Sequence, residues 1–239
     1  SDAGVDPRRA GRVRNAIAGL LERGALPVRR VRGTARGRVA LVGGGPGPVD
    51  LMTVRARRLL AEADVVIADR LGAVDVLREL DPDVEVIDVG KLPGHHAVPQ
   101  DAINALLVRE ALAGRTVVRL KGGDPYVFGR GGEEVFACQE AGIDVRVVAG
   151  VTSAVSVPAL AGIPLTHRGL ATSFTVATAH DQLAPLSGGR DHTVVLLMGV
   201  GQLPTIVERL LAGGRDPAQP AAVVASGTLA QQRALQTTL

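Results

Sequence analysis

From Val39 onward the apolar positions fall into short β-branched runs separated by longer segments of helical spacing. Val39–Val42, Val65–Ala68, Val84–Asp88, Thr116–Leu120 and Val145–Val148 are predicted strands. Helices are predicted to begin near Thr53, Leu71, Gln100 and Gly132. Strands that read as continuous apolar runs are buried on both faces, so the pattern predicts an α/β layer structure around a largely parallel sheet. After Gly150 the rhythm changes. A small-residue helix, Val151–Gly162, precedes apolar runs at Ser173–Thr178, Thr193–Leu197 and Ala221–Ala225, with a helix over Gln202–Ala212 before the last run. A second α/β domain is expected there.

Ahead of Val39 the pattern is different. Asp6-Pro7 reads as the N-cap and first position of a helix. Val13, Ile17, Leu20 and Leu21 share one face of it, and Gly24 ends it. Residues 26–38 are rich in Arg, with one Pro and two Gly, and read as a linker. The expected organisation is a helix and basic linker over residues 1–37, one α/β domain over 38–150 and a second over 151–239.

Composition narrows the class. With 46% hydrophobic and 21% charged residues, the 239-residue chain is globular and long enough to bury a core. Aromatics are 2%, so that core is built from Val, Leu, Ile and Ala. No apolar run approaches the roughly 20 residues of a membrane span. No apolar signal segment opens the sequence, so a cytoplasmic location is expected. The single cysteine, Cys138, excludes an internal disulfide and a Cys-rich zinc site. Residues 1–38 hold ten Arg against three acids, whereas the rest holds 17 basic and 21 acidic residues. The body is mildly acidic and a poor match for nucleic acid. Only Lys91 and Lys121 are lysines, in a chain where Arg is the general cation. Burial can move a lysine pKa, while Arg stays charged.

The chemistry is expected in the loops that follow the strands. Gly43-Gly44-Gly45-Pro46-Gly47-Pro48 follows the first strand. As a dinucleotide loop it fails on spacing, because the third glycine of that fingerprint falls at Pro48. A phosphate loop of the Walker type fails too, because Lys121 precedes its glycines. Two alternatives remain for the first loop: a tight turn, or a backbone wall against a flat uncharged group such as an adenine or ribose. Asp69 ends the second strand, where ligands bind in α/β folds, and where an Asp also serves as a helix N-cap. Adjacent His95 and His96 cannot both point one way on an extended chain, and no metal site is expected. The stretch Lys121-Gly122-Gly123-Asp124-Pro125-Tyr126-Val127-Phe128-Gly129-Arg130 is longer and richer in Gly than a connection needs, which marks it as functional.

At these residues a resemblance emerges. VALVGGGPGPVDLMT, ADVVIADRL, VGKLPGHHAVPQDAIN, VVRLKGGDPYVFGRGGEE, VVAGVTSAVSVPALAGIPLTHRGLATSFTV and VVLLMG resemble, in order, the tetrapyrrole (class III) methyltransferases. The resemblance covers about residues 38–239. It is strongest to the branch that holds uroporphyrinogen-III C-methyltransferase and the methyltransferase part of sirohaem synthase. DPRRAGRVRNAIAGLLERG is similar to the tail of the preceding sirohaem-synthase module. Departures are Pro48 in place of the usual Asp, Ala68 for Tyr, Leu92 for Arg and Ala149 for Pro, with a final strand expected beyond Leu239.

The resemblance implies the tetrapyrrole methylase fold, two α/β domains with the cofactor cleft between them, and a homodimer. It implies S-adenosylmethionine (SAM) as methyl donor, S-adenosylhomocysteine as its product and no metal. The implied reaction methylates uroporphyrinogen III at carbons 2 and 7, giving precorrin-2 for sirohaem or cobalamin. Carried over by position, the cofactor residues are Pro46, Gly122, Gly123, Asp124, Val127, Thr152, Ser153, Met198 and Gly227. Asp69 and Lys91 take the proton-transfer roles. Arg130 is the first candidate for the substrate carboxylates, with Arg119 and Arg168 behind it. Neither nucleic acid nor membrane is expected as a partner.

Overall fold

Strands β1 (Arg38–Gly43), β2 (Val65–Ala68), β3 (Glu85–Asp88), β4 (Thr116–Lys121) and β5 (Asp144–Val148) form one sheet in the order β3-β2-β4-β1-β5. Every pairing in it is parallel. The computed structural model describes residues 8–25, 37–69, 74–90, 98–178, 189 and 191–239. The three inner strands are buried almost throughout, which is why they read as continuous apolar runs. The edge strands β3 and β5 are mostly exposed or half-buried.

Strand alternation divides the core into two layers. Ala40, Val42, Val66, Ala68, Val118 and Leu120 face Ala56 and Leu60 of helix α2 (Val54–Ala61). Val39, Leu41, Val65, Ile67 and Val117 face the opposite side. There they meet Ile103 and Leu107 of α3 (Gln100–Leu112) and Cys138 of α4 (Gly131–Glu140). Helix α2 starts where Thr53 predicts, its hydroxyl accepting the Ala56 N–H at 3.2 Å. The helix expected near Leu71 is instead a 3-10 turn over Val74–Glu79, and Leu71 itself lies outside the described residues.

Burial, and then the neighbouring Glu134 charge, push the Cys138 thiol up to about 11. The expected result is no reaction with a thiol reagent at about pH 8 in the folded protein and full reaction on unfolding, read as released chromophore.

Helix α1 (Arg9–Glu22) has no side-chain cap, and Asp6-Pro7 lies outside the described residues. Gly24, at φ +65°, turns the chain where predicted. A Cβ there would lie 2.6 Å from the Arg57 carbonyl oxygen, so only Gly permits this approach to α2. Arg58 Nε donates to the Glu22 carbonyl at 2.8 Å. Val13, Ile17 and Leu21 remain exposed.

The chain divides into two compact units, Ser1–Val151 and Thr152–Leu239. The second holds α5 (Ser153–Leu160), β6 (Ser173–Thr178), β7 (His192–Leu197), α6 (Leu203–Ala212), β8 (Pro220–Ala225) and β9 (Arg233–Thr238). β6 and β7 pair in parallel, and β8 and β9 antiparallel. Strand β9 is absent from the sequence expectation. Its segment is exposed at every position and carries only Ala234 and Leu235 as apolar residues, so no apolar run announces it. Among the described residues, no helix is long and apolar enough to cross a membrane.

Candidate active site

Three carboxyl ends of the first sheet touch through glycine. Gly44 N–H donates to the Lys121 carbonyl at 2.7 Å. Gly45 and Gly123 exchange N–H···O bonds of 3.2 and 2.7 Å, forming a small bridge between the loops after β1 and β4. A Cβ on Gly43 would lie 2.5 Å from Gly150 Cα, and one on Gly150 would overlap the Gly123 carbonyl oxygen. Gly43 therefore serves close packing of strand ends. Gly150→Ala should cost on the order of 1–3 kcal/mol, the scale of overpacking, seen as a lower thermal midpoint.

Asp124 organises the loop after β4. Its Oδ1 accepts from the Tyr126 N–H at 2.9 Å and its Oδ2 from the Gly150 N–H at 3.0 Å. Val127 N–H returns to the Asp124 carbonyl, leaving the side chains of Tyr126, Val127 and Phe128 exposed as an apolar rim. Pro46 lies in the loop after β1, beside Gly45. Asp69 follows β2 at the same carboxyl edge. Its Oδ1 accepts from the Gly122 N–H at 3.3 Å, and its Oδ2 faces Arg119 NH2 at 3.4 Å.

Beneath this edge lies a buried charge cluster. Strand alternation puts Arg119 and Lys121 on the face covered by α3 and α4. Arg119 Nε, Lys121 Nζ and Gln100 Nε2 all donate to Glu134 Oε1, at 3.0, 2.9 and 3.3 Å. Glu134 is wholly buried, and its Oε2 has no partner among the described residues. Burial, and then the Arg119 charge, hold the Lys121 ammonium below the usual lysine range despite Glu134. Arg119 is buried and spent within the chain, so it does not reach substrate carboxylates as the sequence suggested. Sequence reasoning missed Glu134 and Gln100. The available signal was two cations, two positions apart, on a strand otherwise free of charge, which require an internal anion.

Arg130 is exposed, and its guanidinium forks onto Glu133 at 2.7 and 2.6 Å. Arg168 is exposed in the turn closed by His167 and Ala171. Lys91, His95 and His96 lie outside the described residues.

In the second unit, Thr152 caps α5 by accepting the Ala154 N–H at 3.3 Å, and Ser153 opens that helix. Met198 follows β7 at φ +58°, exposed. Gly227 follows β8, flanked by Ser226 at φ +49° and Thr228 at φ +71°. A Cβ on Gly227 would lie 2.5 Å from both Val157 methyls. Among the described residues, the non-glycines with positive φ are these three with Phe128 and Arg130. All five lie in loops that carry the expected site residues, where functional strain concentrates. Of the nine positions at which the resemblance expects the cofactor, five lie in the first unit and four in the second.

Residues 38–239 match the family of tetrapyrrole (corrin/porphyrin) methylases. The chain belongs to that family. A tetrapyrrole methylase of known structure, the Thermus thermophilus uroporphyrin-III C-methyl transferase complexed with S-adenyl homocysteine, aligns with TM-score 0.72 and 43% identity. That match covers 84% of this chain and 83% of the other. The Methanocaldococcus jannaschii uroporphyrinogen-III C-methyltransferase is 44% identical over 210 residues, covering 85% of this chain and 87% of that protein. Siroheme synthase 2 of Halorhodospira halophila is 47% identical over 232 residues, covering 95% of this chain but 46% of that protein. The chain spans about half the length of the siroheme synthases that it matches.

Proposed function

We propose that this chain is a SAM-dependent methyltransferase that methylates uroporphyrinogen III at carbons 2 and 7, giving precorrin-2 by way of precorrin-1. The observation that carries this reading, beside family membership, is how the loop N–H groups are spent. Those of Gly44, Gly45, Gly122, Gly123 and Gly150 all donate within the chain. A dinucleotide pyrophosphate needs such donors free. What remains is close-packed backbone and an apolar rim, which fits an adenosyl group and disfavours the nicotinamide cofactor that a Gly-rich first loop could suggest.

Pro46, Gly122, Gly123, Asp124 and Val127 of the first unit, and Thr152, Ser153, Met198 and Gly227 of the second, are the residues we assign to SAM. Asp124 would act through its main chain, because both carboxylate oxygens hold the loop. The bound donor supplies an electrophilic methyl. A reduced pyrrole carbon is already nucleophilic, so the chain's task is alignment and removal of a proton afterwards. Asp69 and Lys91 are the groups we assign to that proton. Arg130, released from Glu133, would pair with the substrate's carboxylates.

We assign residues 38–150 and 151–239 as the two methylase domains and 1–37 as a helix and basic linker. A cytoplasmic location and a product destined for sirohaem, with cobalamin as the alternative destination, complete the reading. We propose a homodimer as well. The second unit exposes Leu160, Leu170, Phe174 and Leu235. It also carries an open groove of about 590 Å³ lined by Val155, Ala159, Ile163, Pro164, Leu165 and Phe174. Light scattering should return twice the chain mass.

The deciding experiment is methyl transfer from labelled SAM to uroporphyrinogen III, beside calorimetry with SAM and with NAD. Label in precorrin-2 with SAM binding alone supports the proposal. NAD binding without SAM binding would overturn it.

A further inference from the structure

We infer that Arg119 is a positioning residue for Asp69, and through Asp69 for the Gly122 backbone. The inference deepens the proposed function and rests on its assignment of Asp69.

All three guanidinium nitrogens of Arg119 are spent. Nε donates to Glu134 Oε1 at 3.0 Å, NH1 to the carbonyls of Ile67 and Leu120 at 3.3 and 3.0 Å, and NH2 to Asp69 Oδ2 at 3.4 Å. These partners come from the end of β2, from β4 and from α4, so the planar group is fixed from three elements. Its side chain is 3% exposed, whereas that of Asp69 is 21% exposed. Arg119 is therefore too deep to meet a ligand, and Asp69 is the end of the chain of contacts that reaches the surface.

Asp69 uses its other oxygen on the Gly122 N–H at 3.3 Å. The order Glu134, Arg119, Asp69, Gly122 thus runs from the buried helix face to the loop assigned to the cofactor. A lysine at 119 would keep the charge but not the fork, and could serve Glu134 or Asp69 but not both with fixed geometry. That difference separates positioning from mere charge balance.

The experiment uses the full chain with Arg119→Lys, Asp69→Asn and the double variant, and Glu134→Gln as a second way to loosen the Arg119 anchor. Two readouts are taken: amide hydrogen exchange at Gly122 without ligand, and single-turnover methylation of uroporphyrinogen III. Exchange at Gly122 should speed up in Arg119→Lys and in Glu134→Gln, in the same direction as in Asp69→Asn. Turnover in Arg119→Lys should fall about 10- to 100-fold, the scale of a misplaced group. In the Asp69→Asn background the same change should add almost nothing, because both substitutions break one line of contacts. Unchanged Gly122 exchange in both Arg119→Lys and Glu134→Gln, or losses that multiply in the double variant, would overturn the inference. Near-normal turnover of Asp69→Asn with altered Gly122 exchange would instead overturn the catalytic assignment of Asp69 and leave the positioning role standing.

Discussion

Asp69→Asn should slow single-turnover methylation by about 100-fold or more, the usual scale for a general acid–base group. The substitution preserves size and removes the proton-exchanging carboxyl. Its neighbours sharpen the expectation. Arg119 NH2 and the Gly122 N–H are both donors, and they meet different carboxylate oxygens, Oδ2 and Oδ1. An amide has a single acceptor oxygen. The amide side chain must therefore turn its NH2 toward Arg119 or toward Gly122, and one donor loses its partner. SAM affinity should consequently weaken a few-fold, about 1 kcal/mol, the net worth of one such hydrogen bond. The resemblance, by contrast, implies for Asp69 a proton-transfer role outside the cofactor set. Rapid-quench methylation beside SAM calorimetry reads both effects. Turnover near normal would move proton transfer to solvent or to another residue.

The parts of the fold legible in the sequence are those that burial dictates. Strands β1, β2 and β4 are buried on both faces, and their boundaries agree with the apolar runs to within one residue. Thr53 and Gln100 mark their helices because capping and periodicity are local signals. The segment after β2 misleads because a short 3-10 turn carries the same apolar spacing as a helix start. Strand β9 is invisible because a fully exposed strand leaves no hydrophobic trace. At the site, the loops stand out by glycine content, but the purpose of individual glycines does not. Gly43 and Gly150 exist for contacts between strands more than a hundred residues apart in sequence, which no local pattern records. Arg119 is visible as a cation beside a functional loop. Only the fold shows that it faces inward.

The largest stability loss is expected from Glu134→Ala. Glu134 is wholly buried, and its Oε1 faces Arg119, Lys121 and Gln100 together. Removing it leaves two buried cations with one fewer anion, and breaking a buried pair in this way costs about 3–5 kcal/mol. Arg119 cannot shed its proton, but Lys121 can. Burial, and then Arg119, already hold the Lys121 pKa below the lysine range, and without Glu134 it falls further. The folded variant then binds fewer protons at Lys121 than the unfolded chain does, at any pH between the two pKa values. Stability in that window rises with pH, so the loss is greatest below the folded pKa of Lys121 and shrinks toward the unfolded one. Urea unfolding at about pH 6 and about pH 9.5 should show a smaller deficit against the parent at the higher pH. Glu134→Gln keeps an acceptor oxygen for the three donors and should cost less than Glu134→Ala. A deficit below about 1 kcal/mol for Glu134→Ala, equal at both pH values, would mean that water or a rearranged carboxylate replaces Glu134 without penalty, and the cluster would lose its role as the internal anchor of β4.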